Sequence, residues 1–445
     1  MANRDQLVTI AKRLAALPHS KKQLFRKALQ EKGVNSWELP IVPCGQENVP
    51  LSLAQRRLWF IEALEEGSDK YNMHTVLDLK GNLNIEALQH AFAKMVDRHH
   101  ILRTTYRQEN DGAYQTVENE YEITIELMAE KDQSSIDKRI AQLAFAPFSL
   151  GDSLPLRLHL FKQSLDHYVL LIVVHHIAFD DSSVAILIDG INQFYHAEIN
   201  SVSVQLAPLS IQYADYASWQ QEWEQGEEYR QTAEYWQNTL SVNPEPLTLP
   251  LDRQRLALND RDVLLGIEYL DFERETYQQL NTFARNQSCS LYSVLLTLYG
   301  VLLQRHSDQE QINIGTSVSQ RQRPELEPLI GFFVNTLVMQ LSPYEKESFT
   351  KFLSRVDEQV KSGLANQAFP FDRLMELLNV ERSLYHTPLF QAFFVLLGKE
   401  EVSGLELSDV SIQPRTERNE TARFDLLMKA YEDKDQQRLR VSFQY

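Results

Sequence analysis

Cysteine is scarce: the 445-residue chain has two, Cys44 and Cys289. Two thiols so far apart in sequence make neither a disulfide framework nor a metal-ligand cluster, so a reducing compartment is expected and no metal centre. Long apolar runs are absent as well. The longest strong one, Tyr168 to Val174, is strand length, well short of the roughly 18 residues of a membrane span. The N-terminus alternates charged and apolar residues and lacks a signal-peptide core. Glycine (15) and proline (16) are both low, which excludes collagen-like and low-complexity chains. Basic residues are outnumbered, 44 against 61, leaving a net charge of −17. That disfavours a general nucleic-acid binder, which needs a basic face for phosphates. The expectation is a cytoplasmic protein that binds neither nucleic acid nor membrane.

What is present describes a folded chain. Hydrophobic residues make up 43% and charged residues 24%, ordinary for a globular protein. At roughly 100–200 residues per domain, the length suggests two to four domains or one large two-lobed unit. Residues 4–32 have helical apolar spacing broken near Pro18, and residues 33–50, with three prolines, read as a linker; together 1–50 form an N-terminal helical segment. Residues 51–225 predict helices at 51–64, 84–99, 182–195 and 210–226, and strands at 74–79, 156–161 and 167–174. The last strand is apolar nearly throughout, as in a strand covered on both faces. Residues 226–260 hold a short helix and a proline-rich passage, taken as a crossover. Residues 261–445 predict helices at 274–286, 290–306 and 349–367. Their predicted strands are 266–272, 311–317, 338–341, 390–397, 424–431 and 439–445. Mixed elements without strict alternation favour an α+β fold of two lobes.

The strongest chemical signal is His175-His176-Ile177-Ala178-Phe179-Asp180-Asp181, directly after the apolar strand and before a helix. The two-residue period of a strand sends His175 and His176 to opposite sides, so their roles divide. Imidazole titrates near neutrality and suits general-base work on an amine or hydroxyl. For an isolated pair of histidines, loop residues satisfied by hydrogen bonds are the blander reading. No helical HxxxH spacing accompanies the pair. No GxSxG nucleophile elbow occurs anywhere in the chain.

HHIAFDD resembles the HHxxxDG motif of the condensation domains of nonribosomal peptide synthetases, and six further stretches resemble that family's motifs in order. They are Ser52 to Phe60 (SLAQRRLWF), Arg98 to Tyr106 (RHHILRTTY), Tyr213 to Gln220 (YADYASWQ), Ile330 to Leu337 (IGFFVNTL), Asn366 to Leu374 (NQAFPFDRL) and Arg382 to Gln391 (RSLYHTPLFQ). The resemblance implies two chloramphenicol-acetyltransferase-like lobes arranged as a V-shaped pseudo-dimer with a tunnel between them. It implies amide-bond formation between two carrier-bound thioesters. The acyl or peptidyl thioester comes on an upstream carrier domain, and the attacking amine on a downstream carrier. Phosphopantetheine arms arrive on those partners, so no cofactor of the chain's own is expected. An adjacent adenylation domain is a further implied partner, and the isolated domain is expected to be monomeric.

By the same resemblance His176 is the catalytic residue. His175 is structural. Asp180 is expected to be structural through an ion pair with Arg103, and Asn335 to line the cleft, with a turn or strand-end role as its plain alternative. Asp181 stands where the motif has glycine and adds a second carboxylate beside the site. Trp59, Tyr216, Trp219, Phe332, Phe333, Phe369 and Phe371 read as architecture. His100 stands for a usual Glu and Asn366 for a usual His. SLAQRRLWF resembles domains that join an L-configured donor to an L-configured acceptor. Family members continue past the final strand, so the chain is expected to be a fragment of a longer synthetase. The alternatives are an epimerisation domain, whose EGHGR-like motif is missing here, a CoA-dependent acyltransferase, and a non-catalytic carrier-docking domain.

Overall fold

A computed structural model describes residues 4–46, 48–64, 69–109, 112–130, 132–240, 245–251, 265–343, 346–380, 383, 386–398, 404–415 and 424–445. In chain order the elements begin with α1 (Arg4–Ala15), α2 (His19–Glu31), β1 (Asn48–Pro50), α3 (Leu53–Leu64), β2 (Asn72–Gly81) and α4 (Ile85–Arg98). There follow β3 (Thr104–Glu109), β4 (Gly112–Val117), β5 (Ile125–Met128), α5 (Gln133–Ala144), β6 (Leu156–Lys162), β7 (His167–His175), α6 (Asp181–Ile199), α7 (Tyr213–Glu224) and α8 (Glu227–Thr239). The remainder is β8 (Ile267–Phe272), α9 (Arg274–Asn286), α10 (Leu291–Ser307), β9 (Ile312–Ser319), β10 (Val334–Leu341), α11 (Phe349–Ala365), α12 (Phe371–Leu377), β11 (Ala392–Leu397), β12 (Val410–Pro414), β13 (Leu426–Asp433) and β14 (Arg438–Gln444). The α+β class and the two-lobed organisation expected from the sequence are what the chain has.

One compact unit comprises Met1–Gly226, Arg321–Phe333 and Val402–Thr416. Its main sheet has the order β12-β2-β7-β6-β5, antiparallel except for the β5–β6 pair. β7 is central, and Val169, Leu170, Leu171, Val173 and Val174 are all buried, which explains its unbroken apolar run. Helix α4 starts where the Asn84 side chain accepts the Ala87 N–H, and it buries Leu88, Ala91, Phe92, Met95 and Val96. Gly190 lets α6 approach α4 closely: a Cβ there would lie 2.2 Å from Met95 Sδ. A second sheet has the order β1-β4-β3, with both pairs antiparallel. The N-terminal hairpin α1–α2 buries Ala11, Leu14 and Leu29 with Leu39. Lys22 and Arg26 of α2 both pair with Glu222 on α7.

The other unit comprises Glu227–Gln320, Val334–Glu401 and Glu417–Tyr445. Its sheet has the order β10-β9-β11-β13-β14-β8, with β11 parallel to both neighbours. Leu296, Tyr299 and Leu303 of α10 pack in one core with Phe352, Val356 and Val360 of α11 and with Ile314, Val338 and Phe394 of the sheet.

The sequence predicts residues 261–445 as one lobe in a single block. Two stretches of that block instead pack with the first unit. The physical reason is edge and charge satisfaction. β12 completes the open edge of β2 from Leu77 to Gly81, and Arg415 at its end makes a two-point ion pair with Asp78. The Arg321–Phe333 stretch is held by buried side chains described next.

Candidate active site

The strand β7 ends at His175, and residues His176–Ala178 form one turn of 3₁₀ helix before α6. The turn is held on several sides. The His176 N–H donates to Tyr71 O at 2.8 Å, and the His175 N–H to Pro155 O at 3.0 Å. The buried Gln55 amide of α3 donates to Ile177 O at 3.1 Å. The SLAQRRLWF motif therefore reaches the histidine turn through its glutamine.

The two histidines divide as the strand period requires. His175 is fully buried. Its Nδ1 accepts the Ile177 N–H at 3.1 Å, and its ring packs edge-on against Phe148 at 5.7 Å. It caps the turn and supports the fold. His176 is half-buried, and its Nδ1 lies 2.6 Å from Phe179 O. A carbonyl can only accept, so Nδ1 carries the proton in that contact. In the neutral ring the lone pair then sits on Nε2. The ring also meets Phe332, with centroids 4.8 Å apart.

Asp180 is fully buried and accepts five hydrogen bonds. Oδ1 takes the Ser183 N–H at 3.0 Å, the Ser183 hydroxyl at 2.8 Å and Arg321 Nη2 at 2.9 Å. Oδ2 takes Arg321 Nη1 at 2.7 Å and the Phe333 N–H at 2.9 Å. A carboxylate offers about four lone-pair positions, so the acceptor positions of Asp180 are all taken. It is the N-cap of α6 and the anchor of the 321–333 stretch.

The expected pair between Asp180 and Arg103 is not formed. Arg103 closes the turn after α4, donates to Glu118 O, and stacks its guanidinium 5.3 Å from the Tyr121 ring. That position faces the end of the β3–β4 hairpin, and the cation beside Asp180 comes from Arg321. Asp181 is exposed in the first turn of α6, where a negative side chain suits the helix N-terminus.

The IGFF segment is held in turn by the first unit's side chains. The Ile330 N–H donates to His99 Nδ1 at 3.3 Å and the Gly331 N–H to Ser183 Oγ at 3.1 Å. Phe332 O accepts from Tyr213 Oη at 2.7 Å. Burial pushes the Tyr213 phenol well above its ordinary pKa, so the group stays a donor. Ser52 Oγ, 2.9 Å from Tyr213 Oη, completes the chain. Gly331 is required there, because a Cβ would lie 2.2 Å from Tyr213 Cδ2.

Asn335 belongs to the second unit. Its amide donates to Gln367 O at 2.8 Å and Phe369 O at 2.7 Å, and its oxygen accepts the Phe371 N–H at 3.1 Å. All three contacts hold the Asn366–Leu374 motif and the start of α12. The side chain is thus a strand-end clamp rather than a group presented for chemistry.

Arg321 and Ser183 carry no motif of their own in the sequence, and Tyr213 and Phe332 stand there only as motif or architectural positions. The available signal for Arg321 was indirect: a buried aspartate needs a cation, and Arg321 lies shortly before the IGFF segment.

The sequence profile of the family described as "Condensation domain" matches residues 45–445. The chain belongs to that family. It is 34% identical over 424 residues to a linear gramicidin synthase of Brevibacillus parabrevis, covering 93% of this chain and 8% of that protein. It is 33% identical over 392 residues to tyrocidine synthase 3 of the same organism, covering 87% of this chain and 6% of that one. The chain thus spans a small part of the curated relatives it matches. Among solved structures, the teicoplanin-biosynthesis X-domain, in complex with OxyB, superposes with a TM-score of 0.79 at 25% identity, covering 90% of this chain and 88% of that one. A four-domain nonribosomal peptide synthetase bound to AMP and glycine shares the fold, with a TM-score of 0.76 at 21% identity over 90% of this chain and 31% of that one. Among the described residues no helix is long and apolar enough to cross a membrane.

Proposed function

We propose that this condensation domain forms an amide bond between two thioesters delivered on the phosphopantetheine arms of separate carrier domains. The upstream carrier brings the acyl or peptidyl group, and the downstream carrier brings an aminoacyl group charged by an adjacent adenylation domain. The amine nitrogen attacks the thioester carbonyl. A C–N bond forms, the C–S bond breaks, and the sulfur leaves to end as a thiol. An ammonium cannot attack, so one proton must leave the nitrogen. His176 Nε2 is the acceptor in this reading, and the proton passes on to the departing sulfur.

The observation that carries this reading is the Nδ1 contact of His176 with Phe179 O at 2.6 Å. It holds the imidazole in the tautomer whose Nε2 can accept a proton or hold the amine. General-base help of this kind is worth about 10²–10⁴-fold, and alignment of two tethered reactants adds a proximity contribution. Asp180 supports the turn as the N-cap of α6. The motif wording of residues 52–60 favours an L-donor, L-acceptor subtype.

A second reading, a docking domain without catalysis, draws on the likeness to the X-domain solved with OxyB. A two-carrier assay separates the two. One carrier is loaded with an acyl or aminoacyl thioester, the other with an aminoacyl thioester, and intact-protein mass spectrometry follows the downstream carrier. The expected result is dipeptidyl mass with wild type and none with folded His176→Ala. Equal product from both proteins would overturn the role of His176. Carrier binding with no product from any loaded pair would favour the docking reading.

A further inference from the structure

Phe332 is half-buried, yet the backbone around it is bonded on every side to buried side chains. His99 takes the Ile330 N–H, Ser183 takes the Gly331 N–H, and Asp180 takes the Phe333 N–H. On the carbonyl side, Tyr213 donates to Phe332 O, and Arg321 donates to Leu329 O at 3.2 Å and Gly331 O at 3.4 Å. Arg321 also lies 4.3 Å from the Phe333 ring. Buried polar partners of this kind are costly to arrange for a surface loop that only needs to be covered. What the stretch presents is one aromatic ring against one imidazole, 4.8 Å away.

The contact restrains the imidazole. A hydrogen bond through Nδ1 does not by itself stop the ring from swinging about its side-chain torsions, and terminal sp³–sp² torsions are broad. A second ring packed against the first removes that freedom. It also displaces water from one face, which strengthens electrostatic interactions of the group.

We propose that Phe332 is a positioning residue for His176, held in place by the buried bonds that Asp180, Ser183, Arg321 and Tyr213 make to the backbone of residues 329–333. This rests on the condensation reading for its kinetic consequence. The geometric claim stands separately. It makes the aspartate of the HHxxxD motif a support for the aromatic wall, and gives the IGFF segment a share in the site.

The test uses the full chain with ¹⁵N-labelled histidine and three substitutions, Phe332→Leu, Phe332→Val and Phe332→Ala. Nitrogen correlation spectra read the tautomer of His176, assigned by its loss in His176→Ala. The wild type is expected to show one tautomer with the proton on Nδ1. Phe332→Leu keeps it, Phe332→Val weakens it, and Phe332→Ala shows averaging of the two tautomers. In the two-carrier assay the alanine variant loses about 10–100-fold in kcat with KM for either carrier unchanged, the scale of a misplacement near 1 Å, and leucine rescues most of it. If alanine fails to fold, the leucine-to-valine comparison carries the same ordering. A sharp single tautomer in all folded variants overturns the proposal, and so does a KM effect without a kcat effect. Absence of any wild-type product would sink the condensation reading alone, because the tautomer spectra need no turnover.

Discussion

Asp180 and Arg321 lie 141 positions apart in the chain and meet in a buried two-point ion pair, with contacts of 2.7 and 2.9 Å. Asp180 is the N-cap of the helix after the histidine turn, and Arg321 opens the stretch that ends at Phe333. The pair therefore ties the motif that carries His176 to a segment encoded well downstream. Its side chains are 0% and 8% exposed, so neither charge has water to fall back on.

Breaking one side should be far more costly than removing both. Asp180→Ala or Arg321→Ala alone is expected to destabilise by about 3–5 kcal/mol, because each leaves an uncompensated buried charge. The double variant Asp180→Asn with Arg321→Met should lose less than the sum of its two single variants. Denaturant midpoints of all forms at one pH measure this. Additive losses would mean that the two groups do not interact.

Asn335 offers a test inside the second unit. Asn335→Ala leaves two carbonyls and one N–H at the start of α12 without their partner, an expected loss of about 1–3 kcal/mol. Asn335→Asp should be worse, since a carboxylate cannot donate to the carbonyls of Gln367 and Phe369. Limited proteolysis around 366–377 and thermal melts report both. Equal stability of the alanine and aspartate variants would contradict the clamp.

Much of this was readable from residues alone, and the gaps have physical reasons. β7 is legible because it is buried on both faces, α9 because its apolar spacing is strong, and α10 because it is a long, largely apolar run between Ser290 and Asp308. The division of labour between His175 and His176 followed from the strand period. By contrast, β3, β4 and β5 were missed because they are short and half-exposed, with mixed polar sequence. β12 is hidden for a different reason: it is five residues long, ends in a proline and buries none of its residues fully, and only the open edge of β2 makes it a strand. The Arg103 assignment failed because a sequence motif names a cation without saying which way the chain turns to present it. Arg321 sits in a polar stretch, Ser317 to Pro328, where nothing local distinguishes it from a solvated arginine.

Gly331→Ala probes the wall from its backbone. The added methyl would meet the Tyr213 ring, so either Tyr213 or the IGFF backbone must shift. Overpacking of this kind costs about 1–3 kcal/mol. The bond from Tyr213 to Phe332 O should lengthen or break, with turnover falling as in Phe332→Ala. Tyr213→Phe, which removes only the hydroxyl, should lower turnover in the same direction with a smaller effect on stability. An active Gly331→Ala protein with unchanged melting would show that the ring of Tyr213 does not hold the segment.

His99 makes stability depend on pH in a defined direction. Burial first, then the charges of Arg98 and His100, lowers its pKa from 6.5 to about 3. Its Nδ1 accepts the Ile330 N–H and its Nε2 is buried, so the folded protein holds the ring neutral. In the unfolded chain the ring takes up a proton as pH falls below about 6.5, the ordinary value. The unfolded state then binds more protons than the folded one, and stability declines as pH drops. The contribution is fully present above about pH 6.5 and is lost progressively toward pH 3, at up to about 1.4 kcal/mol per pH unit. His99→Asn keeps an acceptor for Ile330 and removes the titration. Urea midpoints between about pH 7.5 and pH 5 should therefore fall more steeply for the wild type than for His99→Asn, by close to one proton in the slope. Parallel curves would mean that His99 is protonated in the folded protein, and the Ile330 N–H would then have to bond elsewhere.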